Sequence, residues 1–402
     1  MTERAMVRAE WTQRADLIAM LEAIDPIGDQ CRFVGGAVRD ALLGIDAVDI
    51  DIATRLLPGE VITRLEAAGI RAVPTGIDHG TVTAVLPGGP VEITTLRRDV
   101  TTDGRHAEVA FTDDWREDAA RRDFTINALF ADPQTLQVTD YFGGLDDLAA
   151  QRVRFIGDAN ARILEDHLRI LRYFRFYARF GGTADQQALH ACALHAKRLK
   201  ALSRERIARE LLLLLGSANP LDATQLMADS AIWPELLPQM ANDGLTVLRD
   251  LLRREAQVGA AADGLLRLAA LLPVDALVAD GVAARLRLSK AQRLALARYA
   301  MPWPGQGSAR QVAATLHPAH LAAGWLLLRA DEEQARDQWA SLQGWSAPPF
   351  PVGGRHILDL GVSAGPDVAR VLGETRRRWI GEHFPDEARA HQLAAMVANE
   401  TA

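Results

Sequence analysis

The sequence is poor in cysteine and lysine and has no long apolar run. Cys31 and Cys192 are the only cysteines, too few for a disulfide framework or a cysteine-based zinc site, and they fit a reducing compartment. No stretch reaches the roughly 20 uncharged apolar residues of a membrane span, and charges are scattered through residues 1–30, so the expectation is a soluble, cytoplasmic chain without an export leader. Lysine occurs only at Lys197, Lys200 and Lys290. Any recognition of an anion by this chain would therefore come largely from arginine, whose planar fork suits bidentate contacts. The balance of 45 basic against 52 acidic residues, a net charge of −7, argues against indiscriminate binding of polyanions but leaves room for a local basic patch.

What is present is globular. At 402 residues, with 49% hydrophobic and 24% charged residues, the chain exceeds one ordinary core and divides into two to four units. The first 150 residues alternate helical patterns with short β-branched runs: Arg32-Phe33-Val34, Val48-Asp49-Ile50-Asp51-Ile52, Thr81-Val82-Thr83-Ala84-Val85 and Val91-Glu92-Ile93-Thr94-Thr95. That part reads as α/β. Beyond about Asn160 strand signals vanish and helical periods run almost to the end, broken at Gly181-Gly182, Ser217 to Pro220, Pro302 to Gly307 and Ala347 to Pro351. No repeat of fixed period appears, which excludes solenoids.

The strongest local signal is Phe33-Val34-Gly35-Gly36-Ala37-Val38-Arg39-Asp40, a strand running through two glycines into a helix. Glycines there let the backbone approach a ligand, and the free N–H groups of the helix start, with Arg39 one turn in, suit phosphate oxygens. Just beyond, Asp49 and Asp51 alternate with Val48, Ile50 and Ile52, so the strand period puts both carboxylates on one face and the aliphatics on the other. Two like charges held close are costly unless a cation neutralises them, and paired carboxylates holding Mg²⁺ against a triphosphate serve phosphoryl and nucleotidyl transfer. Glu92, between Val91 and Ile93 on a later strand, either supplies a third carboxylate or braces a neighbouring arginine. Further on, Asp166, Arg169, Arg172 and Arg175 recur every third residue. On a helix they form a slowly winding polar strip, with Leu168, Leu171 and Phe174 left for packing.

The glycine turn followed by Asp49-Ile50-Asp51 resembles the first motif of the class II tRNA nucleotidyltransferases, the CCA-adding enzymes, and of bacterial poly(A) polymerases. Four more motifs follow in family order: Arg121-Arg122-Asp123-Phe124-Thr125-Ile126-Asn127-Ala128-Leu129, then Asp140 to Leu148, then Glu165 to Arg172, then Ser203 to Glu210. Leu360-Gly361-Val362-Ser363-Ala364-Gly365-Pro366 is similar to the family's tail segment. The resemblance implies an elongated molecule: an α/β nucleotidyltransferase head with a mixed sheet (1–148), then all-α neck (149–216), body (217–350) and tail (351–402), the last binding tRNA. It implies that Asp49 and Asp51 hold two Mg²⁺ ions, and Glu92 stays a candidate for a further catalytic carboxylate or for a brace. Gly36 and Arg39 would contact the nucleotide phosphates, Arg122 would join the nucleotide site, Asp166 and Arg169 would read the incoming base, and Arg172 and Arg175 would complete the pocket. The substrates implied are CTP, ATP and the tRNA 3′ acceptor end, with no membrane and no obligate protein partner.

The base-reading role has its own chemistry. Adenine and cytosine present an exocyclic amino donor beside an unprotonated ring nitrogen, whereas guanine and uracil reverse both. A carboxylate can accept from the amino group and a guanidinium can donate to the ring nitrogen, so both contacts fail with GTP or UTP. Each buried group left unpaired costs roughly 1 to 3 kcal/mol, enough together for selection of about a hundredfold. Asp99-Val100-Thr101-Thr102-Asp103-Gly104-Arg105-His106 is polar and poorly periodic and reads as a mobile loop beside the site. In the resembled family such a loop switches the pocket from CTP to ATP, so its presence favours complete CCA addition. Gly76-Ile77-Asp78-His79-Gly80-Thr81-Val82 stands where poly(A) polymerases carry an arginine-rich segment, and the net charge is negative, both against poly(A) synthesis. A third reading, a non-catalytic RNA-binding protein, leaves the paired aspartates unexplained. His167 fits a packing role and Ser203 a helix cap.

Overall fold

The computed structural model describes residues 5–46, 49–102, 107–304, 307–316 and 321–401. The chain forms two compact units, Met1–Leu214 with Ala218–Pro238, and Leu215–Ser217 with Gln239–Ala402.

The first unit opens with α1 (Ala15–Ile24), β1 (Cys31–Val34), α2 (Gly36–Leu42), β2 (Ile50–Thr54), α3 (Pro58–Ala67), β3 (Arg71–Gly76), β4 (Thr81–Leu86) and β5 (Gly89–Thr95). It continues with β6 (Arg97–Thr102), β7 (Ala107–Phe111), α4 (Trp115–Ala120), β8 (Leu129–Ala131), β9 (Val138–Asp140) and α5 (Gly144–Ala149). Helices α6 (Ala159–Glu165), α7 (Arg169–Phe180), α8 (Gln186–His195), α9 (Arg204–Leu215), α10 (Leu221–Asp229) and α11 (Trp233–Leu236) follow. Seven strands make one sheet in the order β3-β4-β5-β2-β1-β8-β9. Within it β2 and β5 run parallel and the other neighbours antiparallel, so the sheet is mixed. Ile50, Ile52, Val91 and Ile93 are buried, as the alternation requires, and the register sets Asp51 directly beside Glu92. Past β9 the described residues hold no further strand, in keeping with the helical reading of the remainder.

Two local expectations are corrected. Asp49 lies in a bend and the strand begins at Ile50; Val48 is outside the described residues. The segment expected as a mobile loop is instead the antiparallel hairpin β6–β7, with Asp99 opposite Val109 and Thr102 opposite Ala107. Val100, Thr101 and Thr102 in the first strand and Val109 and Phe111 in the second are β-forming residue types, a signal obscured by the polar residues between them in the sequence. Asp103 to His106 lie outside the described residues.

Helix α7 divides into two faces. Tyr173, Phe174, Phe176, Tyr177 and Phe180 are buried, with Phe176 5.3 Å from Phe124 and Tyr173 stacked 5.9 Å from Phe155. The arginines of α7 border this aromatic wedge, Arg172 and Arg175 lying over the ring of Phe176 and Arg179 over that of Phe180. In the second unit α12 (Gly244–Val258) and α13 (Gly264–Ala270) begin a succession of helices that ends at Glu387–Thr401. Ile357, Val371, Trp379, Leu393 and Val397 form its terminal core, while Arg267 of α13 donates to buried Glu255 of α12 at 2.7 Å and to the Leu215 carbonyl at 2.7 Å.

Candidate active site

The glycine turn does what two glycines permit. Gly35 sits at φ +71°, and a Cβ there would meet Arg122 Nη1 at 3.4 Å, so side chains other than glycine are strained at this point. Gly36 opens α2, whose Arg39 is buried: its Nε donates to Asp40 Oδ1 at 2.8 Å, its Nη1 to Asn127 Oδ1 at 2.5 Å, and its guanidinium lies 4.8 Å over Phe180. The second oxygen of Asp40 accepts Arg179 Nη2 at 3.0 Å. Arg122 is held by Asp118 at 3.0 Å and lies over Phe130.

Asp49 and Asp51 both line a cleft of about 910 Å³ in this unit. Burial pushes the Asp51 carboxyl above the usual carboxylate range, and the negative charges of Glu92 and Asp49 push it further against the pull of Arg122. A cation would reverse that direction, and oxygen donors of this kind are what hard divalent ions take. Glu92 is adjacent to Asp51 through the strand register but exposed and absent from the cleft lining. Among the described residues no three histidine, cysteine, aspartate or glutamate side chains converge as a metal-binding group.

The opposite wall is α7. Asp166 is not on this helix with the arginines, as the spacing predicted; it stands in the turn before it, where its Oδ1 accepts the Leu168 N–H at 3.0 Å and helps start the helix. Its Oδ2 accepts Arg206 Nη2 at 2.6 Å. Arg169 is fixed by the Glu165 carboxylate and by the Arg162 carbonyl at 2.9 Å. Arg172 donates twice to Asp123, at 2.8 and 2.5 Å, and Arg175 pairs with Glu210 at 2.6 Å. Burial alone would raise Asp123, but the Arg172 charge and the Asn127 hydrogen bond outweigh it and hold the carboxyl below its ordinary value.

Gly36, Arg39, Arg122, Asp166, Arg169, Arg172 and Arg175 thus line the same cleft as Asp49 and Asp51, whereas Glu92, paired with Asp51 in the strand register, is outside the lining. Sequence reasoning did not single out Asp40, Asp123, Asn127, Arg179 or Arg206, all of which also line the cleft. Asp123 and Asn127 lie within the second motif quoted above, so a signal existed. Arg206, forty residues from Asp166, had none beyond its place in the fifth motif. A cleft lined by both carboxylates and arginines can hold a polyphosphate while offering donors and acceptors to a base.

The chain is similar to known proteins in sequence and in fold. Residues 31–154 match the model described as the poly A polymerase head domain, and residues 183–243 that of a probable RNA and SrmB binding site of polymerase A. The mitochondrial CCA tRNA nucleotidyltransferase 1 of Mus musculus is 37% identical over 367 residues, 87% of this chain and 82% of the relative. The CCA-adding enzyme of Levilactobacillus brevis is 31% identical, over 94% of this chain and 96% of its own. Among solved structures, the Bacillus stearothermophilus CCA-adding enzyme in complex with CTP superimposes at a TM-score of 0.74 and 25% identity, over 98% of this chain and 99% of that one. A Thermotoga maritima CCA-adding enzyme complexed with tRNA shares the fold at a TM-score of 0.66 and 20% identity, over 97% and 99%. On the strength of full-length relatives above 30% identity, this chain belongs to the CCA-adding enzymes, the tRNA nucleotidyltransferases built on the poly(A) polymerase head.

Proposed function

We propose that this chain builds or repairs the 3′-terminal CCA of tRNA from CTP and ATP, without a nucleic-acid template. The observation that carries the reading is the meeting, in one cleft, of Asp49 and Asp51 with Asp166 and Arg169. In each turnover the RNA 3′-hydroxyl oxygen attacks the α-phosphorus, the bond to the β-phosphate breaks, pyrophosphate leaves with the electron pair, and the hydroxyl proton passes to solvent. Asp49 and Asp51 would hold two Mg²⁺ ions, which when bound supply the charge that lowers the hydroxyl pKa and stabilises the departing pyrophosphate. Glu92, beside Asp51, adds to the negative field at that end of the cleft. The Gly36 turn and Arg122 take the triphosphate, while Arg39, its donors engaged by Asp40 and Asn127, contributes charge and shape.

On the facing wall Asp166 accepts from the exocyclic amino group and Arg169 donates to the ring nitrogen, with Arg172 and Arg175 completing the pocket. A division into head (1–148), neck (149–216), body (217–350) and tail (351–402) goes with this reading, the body and tail gripping tRNA by its form and phosphates. The match of residues 183–243 to a probable RNA-binding site of polymerase A supports RNA contact at the end of the neck and the start of the body. The setting is cytoplasmic, consistent with two buried, unbridged cysteines.

The test is a gel assay with Mg²⁺ and a tRNA transcript lacking CCA, each nucleoside triphosphate supplied alone and then CTP with ATP. Two C residues from CTP alone, one further A when ATP joins, and nothing from GTP or UTP is the expected result. Open-ended tailing with ATP would make the chain a poly(A) polymerase, arrest after two C residues a CC-adding enzyme, and no incorporation a binding protein.

A further inference from the structure

The base-reading carboxylate is gripped at both oxygens. The Leu168 N–H holds Oδ1 at 3.0 Å, a contact built into the helix start, while Arg206 Nη2 reaches Oδ2 at 2.6 Å from α9, a different element. One backbone bond leaves a carboxylate free to swing about it; a second bond from another direction removes that freedom. We propose that Arg206 is a positioning residue for base selection, fixing the Asp166 carboxylate so that only an amino donor at the correct place is accepted. The proposal rests on the reading that Asp166 recognises the base.

The pair differs from its neighbours on the same helix. Arg206 and Glu210 stand four residues apart, one turn of α9, and so face the same way. Glu210 is buried and braces Arg175 at 2.6 Å and Arg172 at 3.6 Å, an architectural task. Arg206 is 51% exposed and Asp166 33% exposed, and both line the cleft. An ion pair that open to water adds little to stability, so its short, cross-element geometry is unexplained by folding and explained by function. Arg206 also keeps donors to spare, which lets it hold the carboxylate while Asp166 accepts a further hydrogen bond on a remaining lone pair.

The experiment compares wild type, Arg206→Gln, Arg206→Lys, Asp166→Ala and the Arg206→Gln/Asp166→Ala double variant, each as the full chain. Melting temperature is measured, together with KM and kcat for CTP, ATP, UTP and GTP on a CCA-less tRNA. Arg206→Gln is expected to keep the wild-type melting temperature and to lower the CTP-over-UTP preference between about tenfold and a hundredfold, the scale of a misplaced contact. The loss falls mainly on KM for CTP rather than on kcat, Arg206→Lys restores part of it, and the double variant is no less selective than Asp166→Ala alone. Unchanged selectivity in Arg206→Gln with lost selectivity in Asp166→Ala overturns the role of Arg206 and spares the base-reading role of Asp166. Unchanged selectivity in Asp166→Ala overturns both. A melting temperature that falls together with kcat for every nucleotide, without a change in preference, would reduce Arg206 to a brace and overturn the proposal.

Discussion

The arginines of α7 and the arginine of α13 make the same kind of bond in different surroundings. Arg172 and Arg175 meet Asp123 and Glu210 at the wall of a cleft and remain partly open to it. Arg267 meets Glu255 inside the second unit, the two side chains only 4% and 3% exposed, with its other donors spent on the carbonyls of Leu215 and Ser217. An arginine–carboxylate pair therefore says nothing of function by itself. Where the guanidinium keeps a face toward a cavity it can still serve a ligand; where burial consumes every donor, it holds the fold.

The comparison is broken most severely at the carboxylates. Asp51→Ala is expected to cut nucleotide incorporation on the order of a thousandfold or more, the scale of losing a principal electrostatic element, without lowering the melting temperature of the first unit. Single-turnover incorporation and calorimetry on one preparation check both halves; turnover at the wild-type rate would remove Asp51 from the site. In the second unit, Arg267→Ala leaves Glu255 charged and buried, which should cost roughly 3 to 5 kcal/mol. Urea unfolding resolved by hydrogen exchange should locate the loss in Gln239–Ala402.

Acid sharpens the contrast with a smaller effect. Asp123 and Asp118 sit below the carboxylate range: burial opposes this in both, and Arg172 for the one, Arg122 and Arg121 for the other, outweigh it. Their contribution is complete above the unfolded value near pH 4 and is lost as pH falls through the lower folded values. Burial pushes Glu255 the other way, beyond what Arg267 recovers. Its contribution is complete below its unfolded value, near pH 4.3, and is lost as pH rises through the higher folded one. Lowering pH from 7 toward 4.5 should raise the protection factors around Glu255, exchange rates being corrected for their intrinsic pH dependence, while leaving those of the Asp123 region unchanged, and further acid should lower the protection of the Asp123 region. Parallel responses in the two regions would refute the assignment.

Much of the head was legible because its signals are local. The alternation around Asp51, the run through Gly35 into α2 and the aromatic and arginine periods of α7 each depend on residues a few positions apart. Asp166 was misplaced on a helix because a three-residue spacing is blind to a start; an aspartate two residues before a capped N–H was the better clue. The β6–β7 hairpin was missed because the polar residues between its strands in the sequence outweighed the β-branched residues beside them. The pairings that finish the site, Arg172 with Asp123 and Arg206 with Asp166, join residues dozens of positions apart, and no local period encodes them.

The parallel pairing of β2 with β5 also bears on how such a protein is inherited. The adjacency of Asp51 and Glu92 depends on the register of two strands and not on the length of chain that leaves one and returns to the other. Lineages can lengthen the connection between α3 and β3 without disturbing the carboxylates. One residue gained inside β5, by contrast, turns Glu92 to the opposite side of the sheet.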